Sequence, residues 1–260
     1  MGTLIRPYKT IEWINRGNLE GLLHNYGLDP KSHPIRRAFE LAREAHGSQP
    51  RKENRFRNSL TWHAYPVAAM TARLAHAMKE KHPELASPEV LCAALLHDYA
   101  EDLSQRRNAD SELVMSELEK KLGEGGGPII HWVGLLTKKG LRKYGGTTEV
   151  ERKANREAEY AKALEESGEI VPVVIKAADR LNNISRLSRL ARTPRQRVKN
   201  WAYLQETKAL YLPIFRKYGL NPLFISEFER ILGRQEKNWQ SQARRKGRAV
   251  PRPMAYRIKR

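Results

Sequence analysis

Apolar positions along this chain recur mostly at intervals of three and four, the period of a helix that buries one face. Between Pro34 and Ala45, residues Ile35, Ala38, Phe39, Ala42 and Ala45 form such a stripe. The alanine-rich stretch from Pro66 to Met78 reads the same way. Ser87-Pro88-Glu89 offers an N-cap followed by proline at the first helical position. Behind it, Val90 to Leu96 is apolar on all sides, which predicts a buried helix. Pro172 opens a further predicted helix through Leu190, and Thr193-Pro194 then punctuates the chain. Gln196 to Lys217 reads as another helix, kinked at Pro213. The glycine-rich stretches Gly123 to Pro128 and Tyr144 to Thr148 read as flexible connectors, because no Gly-Lys-Ser/Thr follows them to make a phosphate loop. Strand-type alternation is nearly absent and no repeat recurs. The fold class expected is all-α.

Composition narrows the picture. A chain of 260 residues holds one sizeable domain with extensions, or two small ones. Its single cysteine, Cys92, lies in the apolar run and reads as a core residue, and one cysteine excludes an internal disulfide framework. No apolar run approaches the roughly 20 residues needed to span a bilayer. Met1 to Pro7 lacks the hydrophobic core of a signal peptide, so a soluble, cytoplasmic protein is expected. The formal net charge of +19 points to a polyanionic partner or substrate. Much of it gathers at the end: Arg244-Arg245-Lys246-Gly247-Arg248 and Arg257-Ile258-Lys259-Arg260, opposed after Arg234 by Glu236 alone. Such a tail is expected to be partly flexible and to make weak contact with nucleic acid or ribosomes. A solvated tail with no dedicated partner fits the composition equally well.

The chemistry concentrates in Leu95-Leu96-His97-Asp98-Tyr99-Ala100-Glu101-Asp102. On one continuous helix, Asp98, Glu101 and Asp102 share a face that His97 borders. Three carboxylates and an imidazole at the end of a buried helix are costly to desolvate unless a cation or hydrogen bonds offset them. Taken alone, a His-Asp pair is more often an ordinary polar dipeptide. Partners raise the odds: His63, and Asp179 in Lys176-Ala177-Ala178-Asp179-Arg180-Leu181-Asn182-Asn183. Asp179 faces the same way as Lys176 and Asn183. The two imidazoles and two carboxylates make a mixed nitrogen and oxygen set suited to a divalent transition ion such as manganese. Of the other histidines, His46 reads as structural, His131 as a packed helix residue, and His76 and His82 as surface residues.

The order His63, His97-Asp98, Asp179 resembles the HD phosphohydrolase superfamily. His97 to Asp102 is similar to the His-Asp-x-x-Glu-Asp motif of the hydrolase domain in RelA/SpoT homologues, which degrade guanosine alarmones. Lys176 to Asn183 resembles that family's Lys-Leu-Ala-Asp-Arg-Leu-His-Asn segment, and Ala45 to Lys52 its His-x-Gly-Gln-x-Arg-Lys segment. Glu206 to Pro213 resembles the helix that closes the domain. The resemblance covers residues 35–219. It implies an HD-domain helical bundle with His63, His97, Asp98 and Asp179 as ligands of a divalent metal, Mn2+ first. It implies that Glu101 and Asp102 position and deprotonate the attacking water, and that Arg51, Lys52, Lys176, Asn183 and Arg186 contact a nucleotide. The reaction implied is removal of a 3′-pyrophosphate from a guanosine or adenosine nucleotide.

Several positions depart from the family pattern: Ser48 for glycine, Ala64 for proline, Leu103 for threonine, and Ile184-Ser185-Arg186 after Asn183. The stretch from Gln49 to His63 is about three residues longer than usual. These positions lie near the nucleotide, so they bear on base identity and phosphate pattern rather than on the metal. The expected organisation is a helical extension at 1–32, the hydrolase domain at 33–219 and a basic extension at 220–260. Roughly 40 residues follow the closing helix, fewer than the family's synthetase domain needs, so a single-domain hydrolase is expected. Two other functions remain compatible: an HD phosphatase acting on another nucleotide or dinucleotide phosphate, and a nucleic-acid-binding regulator on the same scaffold. Intact Glu101 and Asp102 argue against the second.

Overall fold

The apolar stripes become helices whose ends follow the residues that flank them. The computed structural model describes residues 16–46, 50–51, 54–187 and 193–245. Helix α1 spans Arg16–Asn25 and α2 His33–His46, the latter burying the whole stripe from Ile35 to Ala45. A short antiparallel ladder follows, β1 (Pro50–Arg51) with β2 (Asn54–Asn58), pairing Pro50 with Asn58 and Arg51 with Asn54 across a bulge. It is the one departure from helix and turn among the described residues.

A π turn, Leu60–Ala64, leads into α3 (Tyr65–Met78). Pro66 has no N–H for the Trp62 carbonyl four residues back, and the Arg186 guanidinium donates to that carbonyl instead. Helix α4 (Pro88–Leu96) opens as expected: the Ser87 hydroxyl accepts from the Glu89 N–H at 3.2 Å, and every residue from Val90 to Leu96 is buried. Helices α5 (Tyr99–Arg107), α6 (Ser111–Leu122), α7 (Gly127–Leu136) and α8 (Glu149–Glu166) follow. Gly123 ends α6 at φ +68°, a conformation that L side chains rarely adopt.

Helix α9 (Ile170–Ile184) is the hub. Helices α3, α4, α7 and α8 all pack on it, and every residue except Asn183 is buried. It stops at Ile184, short of the expected Leu190, and residues 188–192 lie outside the described residues. Helix α10 (Pro194–Glu206) passes through a second π turn, Thr207–Tyr211, into α11 (Leu212–Lys217). The kink expected from Pro213 takes this form: the ladder widens by one residue just before the proline.

Helix α12 (Pro222–Arg245) closes the chain's described part. Its first half belongs to the core, with Phe224, Phe228, Ile231 and Leu232 buried. Further along, Trp239 stacks on Trp201 of α10 with ring centroids 4.5 Å apart and donates its indole N–H to the Arg197 carbonyl. Leu19 and Leu23 of α1 are likewise in the core. Residues on both sides of 33–219 therefore help to build the bundle, while 1–15 and 246–260 lie outside the described residues. Among the described residues, no helix is long and apolar enough to cross a membrane.

Candidate metal centre

Four side chains from three parts of the chain converge where α4 meets α9. His63 comes from the first π turn, His97 from the C-cap of α4, Asp98 from the junction with α5 and Asp179 from α9. The expected continuous helix through His97-Asp98 does not form. Asp98 sits at φ −102° and ψ 4°, in the bridge region, and α5 restarts at Tyr99. Asp98 makes no side-chain cap for α5; its carboxylate turns to the two histidines instead. Glu101 and Asp102 fall in the first turn of α5, where a helix N-terminus favours negative charge.

The donor atoms crowd one point. His63 Nε2 lies 3.1 Å from His97 Nε2, 2.9 Å from Asp98 Oδ2 and 3.4 Å from Asp179 Oδ1. His97 Nε2 lies 3.3 Å from Asp98 Oδ2 and 3.9 Å from Asp179 Oδ1. An ion bound about 2.1 Å from each donor would separate neighbouring donors by about 3–4 Å, so the spacing fits a divalent cation. His63, His97 and Asp179 are buried, and the Asp98 side chain is 27 % exposed, which leaves one side of the cluster open. Two carboxylates and two imidazoles with little water around them are a set that a cation stabilises.

The surrounding groups hold each of these four side chains in place. Asp179 accepts from Lys176 Nζ at 2.9 Å and from Asn183 Nδ2 at 2.7 Å. His97 Nδ1 donates to the Ala94 carbonyl at 2.8 Å, and His63 Nδ1 meets the Asn182 amide at 2.8 Å. Burial works against a charged His97, but Asp98 and Asp179 outweigh it and raise the ring to about 9. Burial likewise works against ionised Asp179, and the Lys176 ammonium with His63 brings it down to about 2.

Glu101 lies within reach of the charge of Asp98, and Asp102 follows it on α5, each with its own support. Glu101 Oε1 accepts from the Lys138 backbone N–H at 2.8 Å. Burial raises the Glu101 pKa, Lys138 and Lys176 lower it, Asp98 raises it, and the net direction is up. Asp102 Oδ2 lies 3.0 Å from Nδ1 of His46, a buried ring at the end of α2. Of the five residues expected at the nucleotide, Lys176 and Asn183 are engaged by Asp179. Arg186 lies over the Trp62 ring, 5.2 Å from its centroid, and serves the Trp62 carbonyl. Arg51 is described only through its backbone pairing in β1, and Lys52 lies outside the described residues. His131, expected to pack inside its helix, is instead exposed and pairs with Glu169.

A second polar layer adjoins the cluster along α9, around Arg180, the residue after Asp179. Arg180, 1 % exposed, donates to Glu157 Oε2 at 3.1 Å and to Thr207 Oγ1 at 3.2 Å, and its Nη1 lies 2.5 Å from Glu206. Its guanidinium lies 3.8 Å from the Tyr211 ring centroid and 4.4 Å from that of Tyr203. Lys138 Nζ reaches Glu157 Oε1 at 2.8 Å, so the residue that holds Glu101 through its backbone is itself tied to this layer. Sequence reasoning missed the layer. Its one signal is Arg180 itself, which follows the apolar run from Val171 to Ile175 on the same helix, where a buried arginine demands acidic partners from neighbouring elements.

A family model described as HD domain matches residues 38–220. Two curated relatives, both named guanosine-3′,5′-bis(diphosphate) 3′-pyrophosphohydrolase, come from Aquifex aeolicus and Vibrio cholerae. The chain is 28 % identical to the first and 25 % identical to the second, each over 205 residues, or 78 % of this chain. It spans only 24 % of the length of each. No solved structure matches the chain.

Proposed function

Since the chain belongs to the HD domain family, we propose that it is a metal-dependent phosphohydrolase that removes the 3′-pyrophosphate from guanosine 3′,5′-bis(diphosphate) or its adenosine counterpart. The observation that carries this reading is the convergence of His63, His97, Asp98 and Asp179 donor atoms at one partly open point beside Glu101. Manganese suits the mixed imidazole and carboxylate set. The names of the two similar proteins support the substrate class.

When bound, a divalent ion supplies a water of lowered pKa and draws charge from a phosphoryl oxygen. Glu101, with its proton affinity raised, takes the proton that the attacking water loses. Asp102, set against His46, helps to orient that water. Lys176 stays with Asp179 and keeps that carboxylate ionised and in position. Arg51 and Lys52, in a segment that resembles the family's His-x-Gly-Gln-x-Arg-Lys stretch, are proposed to contact the nucleotide, Arg51 by stacking on the base. Water adds to the phosphorus next to the ribose, the bond to the 3′ oxygen breaks, that oxygen takes up a proton to become the 3′-hydroxyl, and pyrophosphate leaves.

The test is to incubate the protein with manganese and a panel of alarmones, other nucleotides and dinucleotide phosphates. Pyrophosphate release from a guanosine or adenosine alarmone is expected. It should fall by about 100-fold or more in Glu101→Gln, the usual weight of a general base, and be abolished in Asp98→Ala. Turnover of another nucleotide alone would overturn the substrate, and no turnover of any panel member would overturn the enzyme reading.

A further inference from the structure

We infer that Asn182 sets the tautomer of His63, and with it the readiness of His63 Nε2 to take a metal ion. The inference rests on the metal-dependent reading above. Both ligand imidazoles bring Nε2 to the same point, 3.1 Å apart. A neutral imidazole carries one proton, so a ring that offers an Nε2 lone pair to a cation keeps its proton on Nδ1. For His97 the backbone decides the matter, because its Nδ1 faces the Ala94 carbonyl at 2.8 Å and a carbonyl only accepts.

For His63 the neighbour is different. Its Nδ1 faces the side-chain amide of Asn182, 2.8 Å away, on a residue 3 % exposed. An amide carries a donor at one end and an acceptor at the other. With Nδ2 toward the ring, the amide donates to Nδ1 and the ring proton lies on Nε2, aimed at Asp98 Oδ2 at 2.9 Å. A half-turn about the Cβ–Cγ bond puts Oδ1 in the place of Nδ2 with little change in shape. The ring then donates from Nδ1 to Oδ1 and presents a lone pair at Nε2. One proton leaves Nε2 for solvent and another is taken up at Nδ1, so the charge of the ring does not change. Asn182 supports both forms; a carboxylate there would support only the second, and an aliphatic side chain neither. Adjacent residues of α9 thus divide the work: Asn183 holds Asp179, and Asn182 orients His63.

The experiment measures manganese binding, not turnover. The paramagnetic signal of unbound Mn2+ is followed as the ion is titrated into the full chain, Asn182→Ala and Asn182→Asp, with thermal unfolding run alongside. Asn182→Ala is expected to bind about 10–100-fold more weakly, the usual effect of removing a group that orients a ligand. Asn182→Asp is expected to match or exceed the unsubstituted chain. Equal affinity in the unsubstituted chain and Asn182→Ala overturns the inference. Equal loss in both variants also overturns it, since shape alone would then account for the role. If Asn182→Ala does not fold, the aspartate variant decides, and a tenfold loss there overturns the inference. A chain that binds no manganese before substitution is a separate outcome, which removes the metal reading and this inference together.

Discussion

His97 carries the chemistry of the centre into an observable. Its ring is buried, yet Asp98 and Asp179 hold it at about 9, so it keeps a proton through the neutral range. A cation must expel that proton from Nε2 to bind. Lower pH favours the proton, so manganese affinity is expected to fall about tenfold for each pH unit below about 9. Titrations of manganese at several values between about pH 6 and pH 8.5 check this, and a flat affinity would show that no proton is displaced. Three of the four proposed donors leave a local trace in the sequence, an imidazole next to a carboxylate or an aspartate closing an apolar run; His63 has no such mark and gains its place from its order ahead of His97-Asp98 and Asp179. Asn182 and Lys138 leave no such trace. Asn182 acts through a ring 119 residues away in sequence, and Lys138 acts on Glu101 through a backbone N–H that every residue but proline possesses.

Among elements, α4 shows what local sequence controls and what it does not. Its start is local chemistry: the Ser87 hydroxyl caps the Glu89 N–H. Ser87→Ala is expected to cost about 1 kcal/mol and to lower the melting temperature by about 2–4 °C, with manganese affinity within twofold of the original. Thermal unfolding checks the first part, and an unchanged melting temperature would show that the cap contributes nothing. The end of α4 is tertiary chemistry. Every residue from Leu95 to Leu103 tolerates a helix, so periodicity ran straight through the break at Asp98. The break follows from a carboxylate drawn toward His63 on another element. The two π turns lie between these cases. Pro66 and Pro213 signal that the hydrogen-bond ladder must adjust, but not that it widens upstream and places His63 and Tyr211 inward. The β1–β2 ladder escaped notice because β1 has two residues, too few for alternation to register.

For the whole molecule, the all-α class followed from periodicity, while the extent of the bundle did not. Basic charge drew attention to the residues after 220, yet Phe224, Phe228 and Ile231 place the first half of α12 in the core. Net charge reports on partners and says little about burial. The Arg180 layer was invisible for a similar reason, since its acids come from α8 and α10 and only the fold brings them to α9. The same long-range assembly governs the proposed metal ligands, and it has a consequence for the life of the protein. His63 and His97 are 34 residues apart in sequence, and Asp179 lies far beyond both. An ion shared among them is a reversible cross-link that closes loops the unfolded chain leaves open. Free metal at 100 times its dissociation constant would add about 2.7 kcal/mol to stability, raising the melting temperature by about 5–10 °C. Unfolding curves recorded with manganese and then with a chelator test this, and coincident curves would refute it. A cell starved of the ion would lose folded protein along with turnover, so the abundance of this chain would itself report metal supply.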